Sequence, residues 1–186
     1  RFMAQGLLPH GVSGRNWFKK QWQDVGSYLD REVPNSGRAV RDFMGAPPTE
    51  RRRRSFPLPD NSCTLTGVLE LHDDIHFRGR FGSLRATDRF DAWVRHLLLC
   101  ANGNNCRTVF VDKANKNPFE PRSLSSDIAK TRLNTLLTLY LRGLRQPLML
   151  VPSASWAYVK AREIGEGLEK ANATWLGTDE YPAYDG

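Results

Sequence analysis

The first regular pattern in the chain is a set of hydrophobic residues at helical spacing between Arg15 and Val33. Its apolar positions are Trp17, Phe18, Trp22, Val25, Tyr28 and Leu29. The Gly/Ser-rich segment "GVSG" precedes the pattern and Pro34 follows it, and such residues commonly flank helix ends. The spacing predicts an amphipathic helix, so we interpret 1–33 as an N-terminal helical segment.

The next segment, 34–61, has no sustained periodicity. It reads "PNSGRAVRDFMGAPPTERRRRSFPLPDN" and combines several Pro and Gly residues with four consecutive arginines. Proline and glycine interrupt regular structure, and a run of like charges favours solvent. The sequence therefore predicts a long basic linker, with at most a short extended stretch in its middle.

Strand-like alternation begins at Leu65 and continues, after a break, to Gly82. "LTGVLEL" places apolar residues at every second position, "HDD" supplies turn residues, and "IHFRGRFG" returns to an extended pattern. Two such runs on either side of a short polar turn are typical of a hairpin. We expect residues 65–82 to form two paired strands joined by a tight turn.

Helical and strand patterns alternate through the rest of the chain. The predicted elements are a helix capped by Thr87 or Asp88 and ending at Asn102–Gly103, a strand over Arg107–Asp112, a helix from Ser125 or Ser126 to Arg145, a short buried strand at "PLMLVP" and a final helix over "SASWAYVKAREIGEGLEKA". This order predicts an α/β fold with a mixed sheet flanked by helices. We expect a single domain over 1–186, with its core in 62–186.

Length and composition agree with a folded domain. The chain has 186 residues, of which 40% are hydrophobic and 25% charged, enough to bury a substantial core. It has no apolar run long enough to span a membrane and no signal-peptide core, so we expect a cytoplasmic protein. Because it lacks an initiator Met and opens in mid-pattern, we interpret it as a fragment of a longer protein. Cys63, Cys100 and Cys106 lack metal-ligand spacing and are expected to be reduced, mostly buried thiols.

The charge balance favours an anionic partner, because 27 Lys and Arg residues against 20 Asp and Glu residues give a net charge of +7. Several cations lie where a groove that follows a nucleic-acid backbone would place them. The candidate DNA-binding residues are Arg51, Arg52, Arg53, Arg54, Arg78, Arg80 and Arg85. A solvated loop and a patch that binds a protein partner are the alternatives for the four-arginine run.

The predicted hairpin has the outline of a metal-dependent nuclease site. Glu70 follows Gly67 by three positions and could bind magnesium, but such a site also needs an acid and a lysine on the second strand. "IHFRGRFG" supplies neither, and Asp73 and Asp74 lie at the bend. Because one carboxylate cannot hold the ion, we expect no catalytic residue, metal or cofactor, and interpret Glu70 as an exposed residue paired with an arginine.

The histidines form no recognisable catalytic pattern with a serine or a cysteine. His72 and His76 flank the turn "HDDIH" and could bind a transition metal together with Asp73 or Asp74. A solvated turn is the interpretation that we prefer for this segment.

Four segments carry a family resemblance through their order and spacing. They are "RFMAQGLLPHGVSG", "SCTLTGVLELHDDIHFRGRFGSLRATDRFDAWVRHLLLCANGNNCRTVFVD", "LRGLRQPLMLVPSASWAYVK" and "TWLGTDEYPAYDG". Together they resemble the C-terminal region of the RecC family, the gamma subunits of exodeoxyribonuclease V, which is the bacterial RecBCD helicase-nuclease. The resemblance covers nearly the whole chain and is weakest over 34–61.

The resemblance implies a restriction-endonuclease-like core of the PD-(D/E)XK type with a degenerate active site. It also implies DNA and the beta and alpha subunits of exodeoxyribonuclease V as partners, with no role for a membrane. We therefore expect a non-catalytic DNA-binding and subunit-assembly domain, acting in duplex unwinding and degradation for double-strand-break repair by recombination. Chi recognition is expected to belong to a part of the subunit outside this segment.

Two other functions are compatible with the residues. One is a magnesium-dependent DNA nuclease whose active site has migrated but still uses Glu70, and the other is a purely structural protein-interaction domain without DNA contact. We expect the core to bury most of Trp17, Trp22, Trp156 and Trp175. Any that are exposed would stack on bases or fill a groove on a partner.

Overall fold

The computed structural model describes residues 11–60, 62–103, 106–114, 117–148 and 151–177. In chain order the elements are α1 (Gly11–Leu29), β1 (Glu32–Val33), β2 (Arg38–Ala39), α2 (Val40–Gly45), β3 (Glu50–Pro57), β4 (Thr64–Leu71), β5 (Ile75–Arg80), α3 (Ala86–Ala101), β6 (Arg107–Asp112), α4 (Ser126–Gly143), α5 (Pro152–Ala161), a 3-10 turn (Arg162–Ile164) and α6 (Gly167–Leu176). The predicted mixed α/β architecture, with helices flanking the sheets, is confirmed.

Each sheet formed by the described residues is a small two-stranded ladder. β3 and β4 pair antiparallel along their whole length, with Arg51 opposite Glu70. β5 and β6 run parallel, with Ile75 opposite Arg107, and α3 provides the connection that a parallel pair requires. β1 and β2 form a short antiparallel pair. Parallel and antiparallel pairing therefore occur in separate ladders, and the described residues do not form the single mixed sheet that the sequence predicts.

The two strands predicted over residues 65–82 are present, but each pairs with a different strand. A tight turn at Asp73 and Asp74 joins β4 to β5, and the backbones of His72 and Ile75 exchange hydrogen bonds of 2.8 and 3.0 Å across it. Beyond this turn β4 pairs with β3, whereas β5 pairs with β6. The prediction of a continuous hairpin ladder is wrong, because pairing is decided by strands that lie elsewhere in the sequence.

The segment predicted as a basic linker contains regular structure instead. It includes β2, α2 and β3, and the four consecutive arginines all lie within β3. Pairing with β4 satisfies those backbone hydrogen-bonding groups of the run that face β4. The short extended stretch expected in the middle of this segment is thus a full strand that packs with the rest of the fold.

Two apolar clusters hold the helices against the strands. In the first, Leu98 of α3 and Leu133 of α4 are buried together with Leu69 of β4. The second cluster joins α1, α2, β5 and β6 through Tyr28, Val40, Phe43, Ile75 and Val109. The hydroxyl of Tyr28 also donates a 3.2 Å hydrogen bond to the carbonyl oxygen of Val111. These clusters fix α3 against the β3–β4 ribbon and fix α1 against the parallel pair.

The final predicted helix is divided into α5 and α6. α5 begins at Pro152, and proline is well suited to the first helical turn. Gly165 has a φ of +82°, a left-handed conformation that ends the 3-10 turn before α6 begins. Within the predicted strand "PLMLVP", Met149 and Leu150 lie outside the described residues, and Pro152 belongs to α5.

Candidate nucleic-acid interface

The β3–β4 ribbon divides the four consecutive arginines between its two faces. Arg51 and Arg53 are exposed, whereas Arg52 and Arg54 are half-buried. Successive side chains of a strand point to opposite faces, so this alternation follows directly from the extended backbone. α3 covers the inward face, where a Cβ at Gly67 would lie 3.5 Å from Leu98 Cδ2. Arg51 and Arg53 therefore point away from α3 and into solvent.

The outward face of the ribbon combines cations with hydroxyl groups. The side chain of Arg53 makes no hydrogen bond or ion pair with any residue that the structure describes, and the residue opposite it is Val68. The next cross-strand pair on the same face is Ser55 and Thr66, whose Oγ and Oγ1 atoms lie 3.3 Å apart. Arginine and hydroxyl side chains are common donors to phosphate oxygens. This surface, defined by Arg51, Arg53, Ser55 and Thr66, is called the ribbon face below.

The two inward arginines contact protein atoms. Arg52 Nε donates a 2.5 Å hydrogen bond to Glu50 Oε1, and Arg52 Nη1 lies 4.0 Å from Cys106 Sγ. Arg54 Nη1 donates to the carbonyl oxygen of Arg53, while Arg54 Nε is buried without a partner among the described residues. The contacts of both guanidinium groups are therefore with atoms of β3 itself and with Cys106.

The arginines of β5 meet acidic residues at the start of α3. Arg80 Nη1 donates to both carboxylate oxygens of Asp88, at 2.8 and 2.7 Å. Arg78 Nη2 lies 3.5 Å from Asp91 Oδ2. Arg85 is exposed, and its side chain contacts no described residue through a hydrogen bond or ion pair. The structure thus places Arg78 and Arg80 toward α3, apart from the ribbon face.

Glu70 is held in an ion pair with the run of arginines. Its Oε1 accepts a hydrogen bond from Arg51 Nε at 3.0 Å and lies 2.9 Å from Arg51 Nη2, and the side chain is exposed. The interpretation of Glu70 as an exposed strand residue paired with an arginine is confirmed. The turn residue Asp73 pairs instead with Arg38, at 3.2 Å. Among the residues described, no three His, Cys, Asp or Glu side chains cluster as a metal site would require.

The histidines beside the turn are buried, so the expectation of a solvated turn is wrong for them. His72 is 7% exposed and His76 is 2% exposed. Burial lowers the pKa of His76 to about 4, and the nearby cations Arg95 and Arg78 act in the same direction. A neutral, buried imidazole of this kind belongs to the packed interior.

The three cysteines are free thiols, as predicted, and Cys100 and Cys106 are buried.

The tryptophans are far more exposed than the sequence suggests. Trp17, Trp22 and Trp175 are 51%, 70% and 50% exposed, and Trp156 is partly exposed, so the expected core burial is wrong. Trp156 lines a cleft between α3 and α5 that sequence reasoning did not identify. The helical spacing of Phe90 and Trp93 is the sequence signal for one wall of this cleft, but it does not show which element lies opposite.

Taken together, the described residues form a mixed α/β domain with a basic two-stranded ribbon. Comparison with known families identifies the family of this domain, because residues 1–163 match the RecC C-terminal domain. The chain belongs to this family. Within the described part of the chain, every helix is too short or too polar to cross a membrane.

Two relatives show how much of a longer protein the chain represents. It is 28% identical over 162 residues to the RecBCD enzyme subunit RecC of Escherichia coli (strain K12). It is 25% identical over 156 residues to the RecBCD enzyme subunit RecC of Buchnera aphidicola subsp. Schizaphis graminum (strain Sg). These matches cover 86% and 83% of this chain but only 13% and 14% of the relatives. The chain therefore spans about one seventh of their length.

Proposed function

We propose that this chain is a non-catalytic DNA-binding and subunit-assembly domain of a RecC-type gamma subunit of exodeoxyribonuclease V. Its role would be in the unwinding and degradation of duplex DNA that lead to double-strand-break repair by recombination in the cytoplasm. The family of the chain and the relatives named as RecBCD subunits support this role. The proposed partners are DNA and the beta and alpha subunits.

The observation that carries the DNA-binding part of the proposal is the ribbon face. The side chain of Arg53 is exposed and makes no hydrogen bond or ion pair with the described residues. The hydroxyl groups of Ser55 and Thr66 lie on the same face. A protein cation that neutralises a phosphate releases counterions, which makes such contacts favourable and dependent on salt. The net charge of +7 adds a general attraction for a polyanion.

The non-catalytic part of the proposal depends on β4 and β5. The order of α1, β3, β4, β5, α3 and β6 supports a restriction-endonuclease-like core, in which a helix precedes the strands and another separates the last two. In such a core, β4 and β5 would carry the metal ligands. Here Glu70 pairs with Arg51, and β5 carries arginines in place of an acid and a lysine. We propose that this active site has degenerated.

Binding of a forked DNA duplex tests the role of the ribbon face. Arg53→Gln removes an outward cation, and Arg54→Gln is a matched control that removes the neighbouring inward one. The slope of log affinity against log salt is negative. We expect Arg53→Gln to make it shallower by about 0.9, the value for one phosphate contact. Arg54→Gln should leave the slope unchanged. Equal slopes for wild type and Arg53→Gln would overturn the proposed contact.

Incubation with magnesium and linear DNA tests the absence of catalysis. Because Glu70 is paired with Arg51 and lacks neighbouring acidic ligands among the described residues, we expect no cleavage by wild type. Glu70→Ala should behave in the same way. Cleavage that depends on magnesium and disappears in Glu70→Ala would establish the nuclease alternative instead.

A further inference from the structure

A cleft of about 710 Å³ is lined by one side of α3, one side of α5 and the segment 119–124. The wall from α3 contains Arg89, Phe90 and Trp93, and the wall from α5 contains Ser155, Trp156 and Val159. Residues three and four positions apart lie on the same side of a helix, so each wall is a continuous helix face. Two largely apolar helix faces across an open space form the kind of groove in which a further helix can lie.

Most of the residues that line this cleft are apolar, and some of them are well exposed. Phe90 is 43% exposed and Val159 is 52% exposed. Val159 and Ser155 also line a second, smaller cleft of about 360 Å³, to which α6 contributes Trp175. The apolar surface therefore continues across α5 from one cleft to the other. Contiguous exposed apolar surface of this kind commonly marks a site of protein association.

The charges around the cleft have a single sign. Arg89, Arg122 and Arg132 line it, and its described lining contains no acidic residue. The guanidinium of Arg89 lies 4.7 Å from the ring centre of Trp156, and that of Arg132 lies 5.8 Å from the ring centre of Trp93. A complementary ligand therefore has apolar groups for the centre of the cleft and carboxylates for its edges.

We propose that this cleft, here called the docking cleft, binds an acidic amphipathic helix from a partner subunit. Apolar side chains on one side of that helix would enter the cleft, and acidic side chains beside them would pair with the three arginines. This inference rests on the assembly part of the proposed function and gives that assembly a location and a chemistry. It concerns a surface separate from the ribbon face.

A single DNA strand fits the docking cleft less well than a peptide does. Bases bind such proteins by stacking on open aromatic faces. One face of Trp156 is covered by Arg89, and one face of Trp93 lies under Arg132. Aliphatic residues such as Val159 and Leu124 occupy much of the remaining wall and offer no stacking surface. The lining therefore favours packing with side chains of a protein.

Site-specific photo-crosslinking identifies the occupant directly. We would place benzoylphenylalanine at Val159 in the full-length protein and assemble it with purified partner subunits of its complex. The control position is Met44 on α2, whose exposure of 54% is close to that of Val159. We expect position 159, but not position 44, to crosslink to a partner peptide with alternating apolar and acidic residues. Crosslinks from position 159 only to the same polypeptide, or only to added DNA, would overturn the proposal.

The energetic role of the docking cleft is tested in the same reconstituted complex. Val159→Asp puts a carboxylate where the apolar side of the helix would pack, so affinity for the partner subunit should fall at least about tenfold. Met44→Asp is the matched control and should assemble like wild type. Arg132→Glu, a charge reversal on the exposed side of α4, should also weaken assembly, because it replaces a cation that would pair with the carboxylates of the partner helix.

These variants separate the docking proposal from the DNA-binding proposal. Val159→Asp should leave the salt dependence of DNA binding unchanged, because it lies outside the ribbon face. If both Val159→Asp and Arg132→Glu assemble with wild-type affinity, the docking cleft is not a partner site. The comparison of Arg53→Gln with Arg54→Gln would still decide the role of the ribbon face in that case.

Discussion

At the scale of single residues, His76 is the side chain whose burial has the clearest consequence. It is 2% exposed, and its Nδ1 has no hydrogen-bond partner among the described residues. Burial is the main cause that lowers its pKa to about 4, with Arg95, Arg78 and His96 acting in the same direction and Asp91 opposing them. The imidazole is therefore neutral in the folded protein over a range in which the unfolded chain would protonate it.

This difference predicts a loss of stability in mild acid. Above the ordinary histidine pKa of 6.5 both states are neutral, and as the pH falls toward 4 only the unfolded chain gains a proton. The free energy of unfolding should fall by up to roughly 3 kcal/mol over this range. Urea unfolding between about pH 7.5 and about pH 5 measures the first roughly 2 kcal/mol of this loss.

His76→Leu is the variant that isolates this contribution. It should reduce the dependence of stability on pH, because it removes the group that the unfolded chain protonates. Some dependence should remain, since burial also lowers the pKa of His72 and of His96. If wild type and His76→Leu lose stability equally between about pH 7.5 and about pH 5, His76 is not the responsible group.

At the scale of elements, the two faces of β4 differ sharply although their residues alternate along one strand. Leu69 is 1% exposed and packs against α3, whereas the adjacent Val68 is 53% exposed. Leu69→Ala should lower the free energy of unfolding by about 3 kcal/mol through lost packing and a cavity. Val68→Ala should change it by less than about 0.5 kcal/mol. Chemical denaturation of both variants makes the comparison, and similar losses would contradict the proposed orientation of the ribbon.

The elements that the sequence predicts well are those with local signals. α4 begins after Ser125, whose side chain accepts a 3.4 Å hydrogen bond from the backbone of Ile128, and β6 follows its β-branched residues. The sequence pattern does not predict β3, because arginines occupy successive positions of the strand and remove the alternation of polar and apolar residues. Its inward arginines can pack through their aliphatic stems, which a pattern of charges does not reveal.

The candidate sites depend on non-local contacts, and this limits what the sequence can predict of them. Alternation alone divides Arg51 and Arg53 from Arg52 and Arg54, but only the position of α3 shows which pair faces solvent. The docking cleft likewise joins helices that are distant in sequence. The periodicity of α3 explains why Phe90 and Trp93 share a side, while the gap beside them exists only in three dimensions.

At the scale of the whole molecule, the ribbon face and the docking cleft share no residue. α3 connects the two regions, because Leu98 packs on the inward side of the ribbon and Phe90 lines the cleft. The outward arginines of β3 take part neither in the packing of Leu98 nor in the lining of the cleft. Changes at sites without shared partners usually combine additively in free energy. We therefore expect the two proposed surfaces to act independently.

The double variant Arg53→Gln/Val159→Asp tests this independence. Its DNA affinity and salt slope should equal those of Arg53→Gln, and its affinity for the partner subunit should equal that of Val159→Asp, each within about 0.5 kcal/mol. Salt titrations with a forked duplex and subunit titrations in the reconstituted complex supply the two measurements. A larger deviation would mean that binding at one surface changes the other. Leu98 and Phe90 both belong to α3, so a displacement of that helix would be the first explanation to test for such coupling.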